Sequence, residues 1–480
     1  MNFWNNKKIK YGIITILTVL CAVLAFVIRI LPVSDLAGTG DMIAGPDAWY
    51  NLRLVEVLMN SGAYINYDSM TLYPTGQTIV WGPLFTYISA LFAILAGAAS
   101  RVAIIDAVSW VPVVLAVLMI PVMFFLGKKL GDWKTGVIAA LFIAVIGGQF
   151  FSRSLYGHFD HHIAETLFST LFCLCYCMAL VHTQDKKIEW KNISTLKIPL
   201  LFGILAGVSY FLGLMTMTTL VVFGLFASIF TLIRFIIDYR AGRPTEYLVI
   251  LNILTFAIAA IGLLIYGVRV DSGYSLYDYS LGLFVIQLLV IAGVLILFGL
   301  TKLVDKLKET KNLKKPWLVY LASLIIIAAA GTIILCLALP DVFNMVVNNI
   351  ANQFAAPTGG GTTIQEAQAW SFDSAVKSFG WSLLLAVGGA AVLLFNIIRK
   401  NSAVSLFVLI WSLGTFILAC AQIRWEYFFA ANIALLAAVF VSWAITFAAE
   451  DVKKLAGLIK SKAGAKKEIE DEPAKKKGKE

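Results

Sequence analysis

Charge is scarce in this chain. Only 14% of its 480 residues are Asp, Glu, Lys or Arg, while 60% are hydrophobic and the mean hydropathy is +0.85. That balance excludes an ordinary soluble domain and implies a polytopic, all-α membrane protein. Cysteine is sparse and badly placed for stapling. Cys21, Cys173, Cys175, Cys177, Cys336 and Cys420 all lie in apolar runs, which argues against an extracellular disulfide. Cys173, Cys175 and Cys177 are two apart and so fall on different helix faces, as packing residues do. Internal repeats are missing and the span centres are nearly free of charge, which counts against a transporter or flippase. The glycine run Gly359–Gly361 has no Lys-Ser/Thr after it, so it is not a phosphate-binding loop. The first apolar run follows "NNKKIK" without a small-residue cleavage site and reads as a retained anchor.

What is present is a series of runs long enough for a bilayer core of about 30 Å, roughly 20 residues each. Twelve spans are predicted, near 11–31, 105–126, 135–151, 163–182, 198–214, 217–237, 247–268, 280–301, 317–339, 379–398, 402–421 and 427–447. A further run, 84–98, is ambiguous, and charge decides it. With 84–98 read as an interfacial or re-entrant helix, all but seven of the 38 Lys and Arg fall on one side. The seven are Arg29, Arg53, Arg101, Arg153, Arg269, Lys377 and Arg424. The positive-inside rule makes the basic side cytoplasmic, with both termini there. The net charge of +10 then reflects topology, and no nucleic-acid surface is implied. Residues 1–450 form the membrane domain, with outer segments 32–104, 152–162 and 340–378. Residues 451–480 read as a basic, low-complexity, disordered tail.

Four outer stretches carry candidate chemistry. In "GDMIAGPDAWYNLRLVE" (40–56), Asp47 follows Gly-Pro and opens an amphipathic helix; a functional carboxylate competes with a simple helix cap. "SRSLYGHFDHHIAE" (152–165) holds three of the four histidines. Asp160 and His162, two apart on a turn, can put a carboxylate oxygen and an imidazole nitrogen on one divalent ion. Mixed O/N ligation suits Mn²⁺ better than Ca²⁺, with Mg²⁺ and Zn²⁺ as alternatives. His158 and His161 are bystanders or support those ligands. In "APTGGGTTIQEAQAW" (356–370), a flexible backbone could close over a substrate and deliver Glu366. In "QIRWEYFFAANIAL" (422–435), Arg424 either snorkels to headgroups or grips a lipid phosphate with paired donors. Three acids, a histidine and an arginine on one face of a membrane bundle suit a glycosyl donor attached to a lipid phosphate.

In order and spacing, "GPDAWYNLRLVE", "SRSLYGHFDHHIAE", "TTIQEAQ" and "IRWEYFFA" resemble the motifs of the oligosaccharyltransferase catalytic subunit, in its archaeal D-x-H form. The resemblance covers residues 1–450. It implies the GT-C fold, with about 12 transmembrane helices plus interfacial helices in the first outer loop. It implies inverting transfer of an oligosaccharide from a dolichol-linked phosphate or pyrophosphate to Asn in Asn-X-Ser/Thr. By position, Asp47, Asp160 and His162 would ligate Mn²⁺ or Mg²⁺, Asp47 and Glu366 would hold the acceptor amide, and Arg424 would contact the carrier phosphate. Arg153 and His161 would be supporting. The implied partners are a lipid-linked oligosaccharide, a sequon-bearing acceptor and the membrane. The family's thirteenth span and soluble W-W-D-Y-G domain have no counterpart here, so the expectation includes a separate chain supplying that domain, a truncated piece, or a short paralogue. The rival enzyme is another polyprenyl-phosphate-sugar-dependent glycosyltransferase, against which the TIQE and D-x-H motifs argue.

Overall fold

The computed structural model describes residues 6–43, 45–355 and 363–475. Among them the only sheet is a two-stranded antiparallel hairpin, Tyr67–Asp68 against Gln77–Thr78. The rest is helix and connection. Eleven helices, from Lys7–Leu36 to Ile423–Val452, are long and apolar enough to cross a bilayer. This is a multi-pass membrane protein, and eleven of the twelve expected spans have their counterparts here.

The twelfth, 135–151, differs. Its helix is Trp133–Val145, only 13 residues, or about 20 Å at 1.5 Å per residue. The chain leaves the helix at Ile146, which is extended, and resumes as Gly148–Ser152. The composite segment still travels far across the bundle. Near its start, Thr135 Oγ1 donates to Ser442 Oγ at 2.8 Å; past its end, the Gln149 amide donates to Glu426 Oε1 at 3.0 Å. The last helix covers about 24 Å between Glu426 and Ser442, so the composite segment runs antiparallel to it over that depth. The break puts backbone N–H groups at the level of Glu426, where the polar residues gather.

The run 84–98 is the short helix Pro83–Leu95. The Gly82 amide donates to the Thr216 carbonyl at 3.1 Å, and a Cβ on Gly82 would collide with the Met215 carbonyl. Beyond the helix's other end, Arg101 pairs with Glu56 of helix Pro46–Ser61 at 2.9 Å. Both ends therefore rest on the first-loop and 215–217 side, as an interfacial helix requires. The last helix continues to Lys475, into the stretch where composition predicts disorder. Alanine and lysine, both strong helix formers, carry it on.

Arg29, an outer cation in the sequence reading, is fully buried at the end of the first span. Its Nη1 donates to the Ala25 and Ala144 carbonyls at 3.1 and 2.8 Å, and its Nε to Ser154 Oγ at 2.8 Å. The Tyr156 amide donates back to the Arg29 carbonyl at 2.9 Å. These bonds fasten the histidine-rich turn to two spans.

The first loop has its own anchor. Arg53 grips Asp68 through Nε and Nη2 at 2.8 and 2.9 Å, and the Met70 amide donates to Asp68 at 3.0 Å. The guanidinium, working against burial and helped by that amide, holds the Asp68 carboxyl below its ordinary 3.8. A depressed folded pKa means the stabilisation is complete above the unfolded value and lost as pH falls through the folded one. Asp68→Asn should loosen the loop by on the order of 1–3 kcal/mol, seen as faster amide exchange across residues 64–80 at neutral pH. The wild type should show this only below pH about 4. Equal protection of the two chains at pH 7 would refute the assignment.

Candidate active site

The site is built on a turn between two helices. Gly148–Ser152 ends at Arg153, and the span His162–Thr183 begins after the cap residue His161. Between them Gly157 has φ +83°, and a Cβ there would meet Leu36 Cδ1 at 2.6 Å, so the "YGH" turn needs glycine. The turn delivers Asp160 to the start of the span, 5% exposed. Asp160 Oδ1 accepts the His161 amide at 2.7 Å and lies 2.9 Å from His161 Nδ1. Its Oδ2 lies 3.5 Å from Arg153 Nη1 and 3.3 Å from His162 Nε2.

Burial alone would raise the Asp160 pKa, but the His161 ring, its hydrogen bond and the Arg153 guanidinium outweigh it and bring it to about 2. Conversely, burial would lower His161, but Asp160, Glu165 and Asp47 hold it above its ordinary value. Both His161 ring nitrogens face carboxylates, Asp160 at 2.9 Å and Glu165 at 3.3 Å. Two buried carboxylates thus favour the protonated form of His161. Burial lowers His158, against the pull of Asp160.

Asp47 is not the helix cap. Gly45 is the cap, Pro46 takes the first helical position, and Asp47 makes no capping bond. Its carboxylate instead lines a cavity of about 450 Å³ with Gln149, Arg153, His158, Asp160 and Glu366. Partial desolvation there, then the charges of Asp160 and Glu366, raise its pKa despite opposing pulls from His161 and Arg153.

Glu366 arrives from the other end of the chain on the short helical turn Gln365–Ala367. Its Oε2 is 2.7 Å from Arg153 Nη2. The segment is docked on the start of the last helix: the Ile423 amide donates to the Gln368 carbonyl at 2.9 Å, and Trp370 Nε1 to Glu426 Oε2 at 2.9 Å. Residues 356–362, including the glycine run, lie outside the described residues.

Asp47, Arg153, Asp160 and Glu366 therefore share one cavity. His161 and His162 lie behind Asp160 and do not line it. Arg424 is half-buried on the turn Ile423–Trp425, also outside the lining set; its Nε has no hydrogen-bond partner among the described residues. Its neighbours face different ways. Ile423 lines the polar cavity, whereas Trp425 lines an apolar cavity of about 360 Å³ with Val222, Leu225, Phe256 and Val290.

Asp160, His161 and His162 offer ligand atoms within 4.8 Å of one another, while Asp47 stands outside that group. Asp160 Oδ2 and His162 Nε2 form one pair of donor atoms within this group. Their 3.3 Å separation fits two ligands with bonds of about 2.1 Å to one ion. The donor set fits a divalent cation. Sequence reasoning missed Glu165 and Glu426. The i, i+3 spacing of His162 and Glu165 was the available signal for the first. Glu426 finds its partners only through the tertiary fold.

Residues 13–459 match the family described as oligosaccharyl transferase STT3, N-terminal. The chain belongs to this family. Among curated members, it is 26% identical over 454 residues to dolichyl-phosphooligosaccharide-protein glycotransferase 3 of Archaeoglobus fulgidus, covering 90% of this chain and 50% of that protein. It is also 26% identical over 348 residues to the Haloferax volcanii dolichyl-monophosphooligosaccharide–protein glycotransferase AglB, covering 70% of this chain and 32% of the relative. The chain spans half or less of the length of these family members. Two crystal or complex structures of the Archaeoglobus fulgidus oligosaccharyltransferase share the fold. One, AglB with an inhibitory peptide and a dolichol-phosphate, gives a TM-score of 0.82 at 23% identity, covering 92% of this chain and 52% of that one. Another, with Zn and sulfate, gives 0.73 at 22%, covering 90% and 49%.

Arg153 is the cation this family member uses to hold Asp160 and Glu366 together, 14% exposed and stacked 5.4 Å over the Tyr427 ring. Arg153→Met should lower stability by on the order of 3 kcal/mol, the cost of breaking a buried pair. It should also speed exchange in residues 363–371. An unchanged unfolding midpoint together with unchanged exchange would show that the pairing does not anchor this segment.

Proposed function

We propose that the chain carries the transmembrane catalytic machinery of an oligosaccharyltransferase. It would move an oligosaccharide from a dolichol-linked phosphate or pyrophosphate to the Asn amide of an Asn-X-Ser/Thr sequon. The observation that carries the reading is one cavity lined by Asp47, Asp160, Glu366 and Arg153, with the Arg424 turn joining it to an apolar cavity.

The acceptor amide is a poor nucleophile because its lone pair is delocalised into the carbonyl. Full rotation about its C–N bond costs about 18–20 kcal/mol. Asp47 and Glu366, both lining the cavity, can each accept one amide N–H and hold the group partly twisted. The amide nitrogen then attacks the anomeric carbon from the face opposite the phosphate. A C–N bond forms, the C–O bond to the phosphate breaks with its electron pair on oxygen, and one carboxylate takes the amide proton. The configuration inverts. Arg424, whose Nε has no hydrogen-bond partner among the described residues, offers paired donors to the departing phosphate. Glu366 must exchange its Arg153 partner for the substrate, so closure of the 363–371 segment and acceptor binding are linked.

Asp160 and His162, with Asp47 brought in from across the cavity, would hold a divalent cation, Mn²⁺ or Mg²⁺. When bound, such an ion stabilises negative charge on the leaving phosphate. The apolar cavity beside Trp425 suits the first prenyl units of the carrier. By the distribution of basic loops, both termini lie in the cytoplasm and the cavity opens on the extracytoplasmic face. His161 and Arg153 support the site by holding Asp160 ionised.

The test is transfer of a lipid-linked oligosaccharide to a sequon peptide, read by mass spectrometry, with the chain alone and with the C-terminal half of the Archaeoglobus relative supplied in trans. Chelation should abolish transfer and Mn²⁺ restore it. Asp47→Asn and Glu366→Gln should each cut kcat by about 10²-fold or more, the scale of losing one transition-state contact. Arg424→Ala should raise KM for the donor as well. Absence of glycopeptide in every combination, from folded chain with bound donor, would reject the reading.

A further inference from the structure

Glu165 takes part in none of the steps above, yet it is among the most enclosed acids in the protein, 1% exposed at the first turn of the span His162–Thr183. A buried carboxylate without partners is costly, and this one has four. Its Oε1 lies 2.8 Å from His162 Nδ1 and 3.3 Å from His161 Nε2. Its Oε2 accepts the hydroxyls of Thr219 and Tyr427, each at 3.3 Å. The partners come from three parts of the chain, so the carboxylate cannot turn without breaking several bonds.

The arrangement selects a tautomer. As a carboxylate, Glu165 serves both ring nitrogens through Oε1 as an acceptor. His162 Nδ1 must then carry the proton, which leaves the lone pair on Nε2. That nitrogen is turned toward Asp160 Oδ2, 3.3 Å away, at the wall of the cavity. We propose that Glu165 is a positioning residue for a divalent cation: it holds His162 in the Nδ1–H form, so that Nε2 and Asp160 Oδ2 are presented together as ligands. The inference rests on the metal reading given under the proposed function. The helix dictates the pairing, because His162 and Glu165 stand at i, i+3 on one face. His161, at i, i+4 from the same acid, stands with its two nitrogens against Asp160 Oδ1 and Glu165 Oε1. Tyr427 reinforces the ring from the other side, 4.7 Å between centroids.

The protein has only four histidines, His158, His161, His162 and His182, so ¹⁵N-histidine labelling can resolve them, with His162→Asn giving the assignment. Wild type loaded with diamagnetic Zn²⁺ should show a protonated Nδ1 and a metal-bound Nε2 on His162. Glu165→Ala should mix the two tautomers. Mn²⁺ titration followed by electron paramagnetic resonance should give about 10–100-fold weaker binding in Glu165→Ala. Glu165→Gln should recover part of this loss, since its amide oxygen still accepts the Nδ1 proton, and it carries the test if the alanine variant does not fold. Wild-type Mn²⁺ affinity in both Glu165 variants, with binding lost in His162→Asn, would overturn this inference alone, as would a proton found on His162 Nε2. No Mn²⁺ uptake by the wild-type chain would overturn the metal reading and this inference with it.

Discussion

Everything at the site follows from the need to compensate one buried carboxylate. Asp160 is 5% exposed, and ionisation there would be unfavourable without nearby positive charge. His161 and Arg153 supply that charge and hold the group at about 2. Neither could do so unless the turn carrying them were fixed. Arg29, itself buried, fixes it by bonding Ser154 and the Ala144 carbonyl. Arg153 has a second hand on Glu366, so the countercharge for Asp160 also decides where residues 363–371 rest. A local electrostatic debt thereby organises contacts between elements more than 200 residues apart.

The membrane architecture was legible because hydropathy and charge are one-dimensional signals. A run of apolar residues announces a span wherever it stands. The same logic kept 84–98 out of the span count, and the structure makes it the short helix Pro83–Leu95. It was less informative at 135–151. Hydropathy counts apolar residues without asking whether the backbone stays helical, so the break at Ile146 left no trace in it. The tail shows the converse: charge and low complexity suggested disorder, while alanine and lysine propensity carries the helix to Lys475.

Site residues were legible where chemistry and order along the chain coincided. Asp47, Asp160 and Glu366 were singled out from three separate stretches, and they line one cavity with Arg153. Whether Asp47 caps its helix was not legible, because Gly45 takes the cap and frees that carboxylate for other contacts. Nor was the role of the second histidine, since His161 and His162 are chemically identical in sequence. Only their partners separate them: His161 faces Asp160 Oδ1, whereas His162 faces Asp160 Oδ2, the oxygen that also meets Arg153 of the cavity lining. Glu426 was invisible for a related reason. Its bonds run to the Gln149 amide and the Trp370 indole, and no spacing rule connects those three positions.

The place of Arg424 completes the physical argument. An arginine between two spans is ordinarily explained by snorkelling, which needs only a path to water and headgroups. Here the turn that carries it separates two unlike cavities, Ile423 on the polar one and Trp425 on the apolar one. On the proposed reading, a guanidinium in that position, its Nε buried and without a hydrogen-bond partner among the described residues, would meet an anion with a sugar on one side and a hydrocarbon chain on the other. A soluble sugar nucleotide would have no use for the apolar cavity, and a plain phospholipid would have none for the three carboxylates. The pairing of cavities therefore narrows the substrate class further than any single residue does.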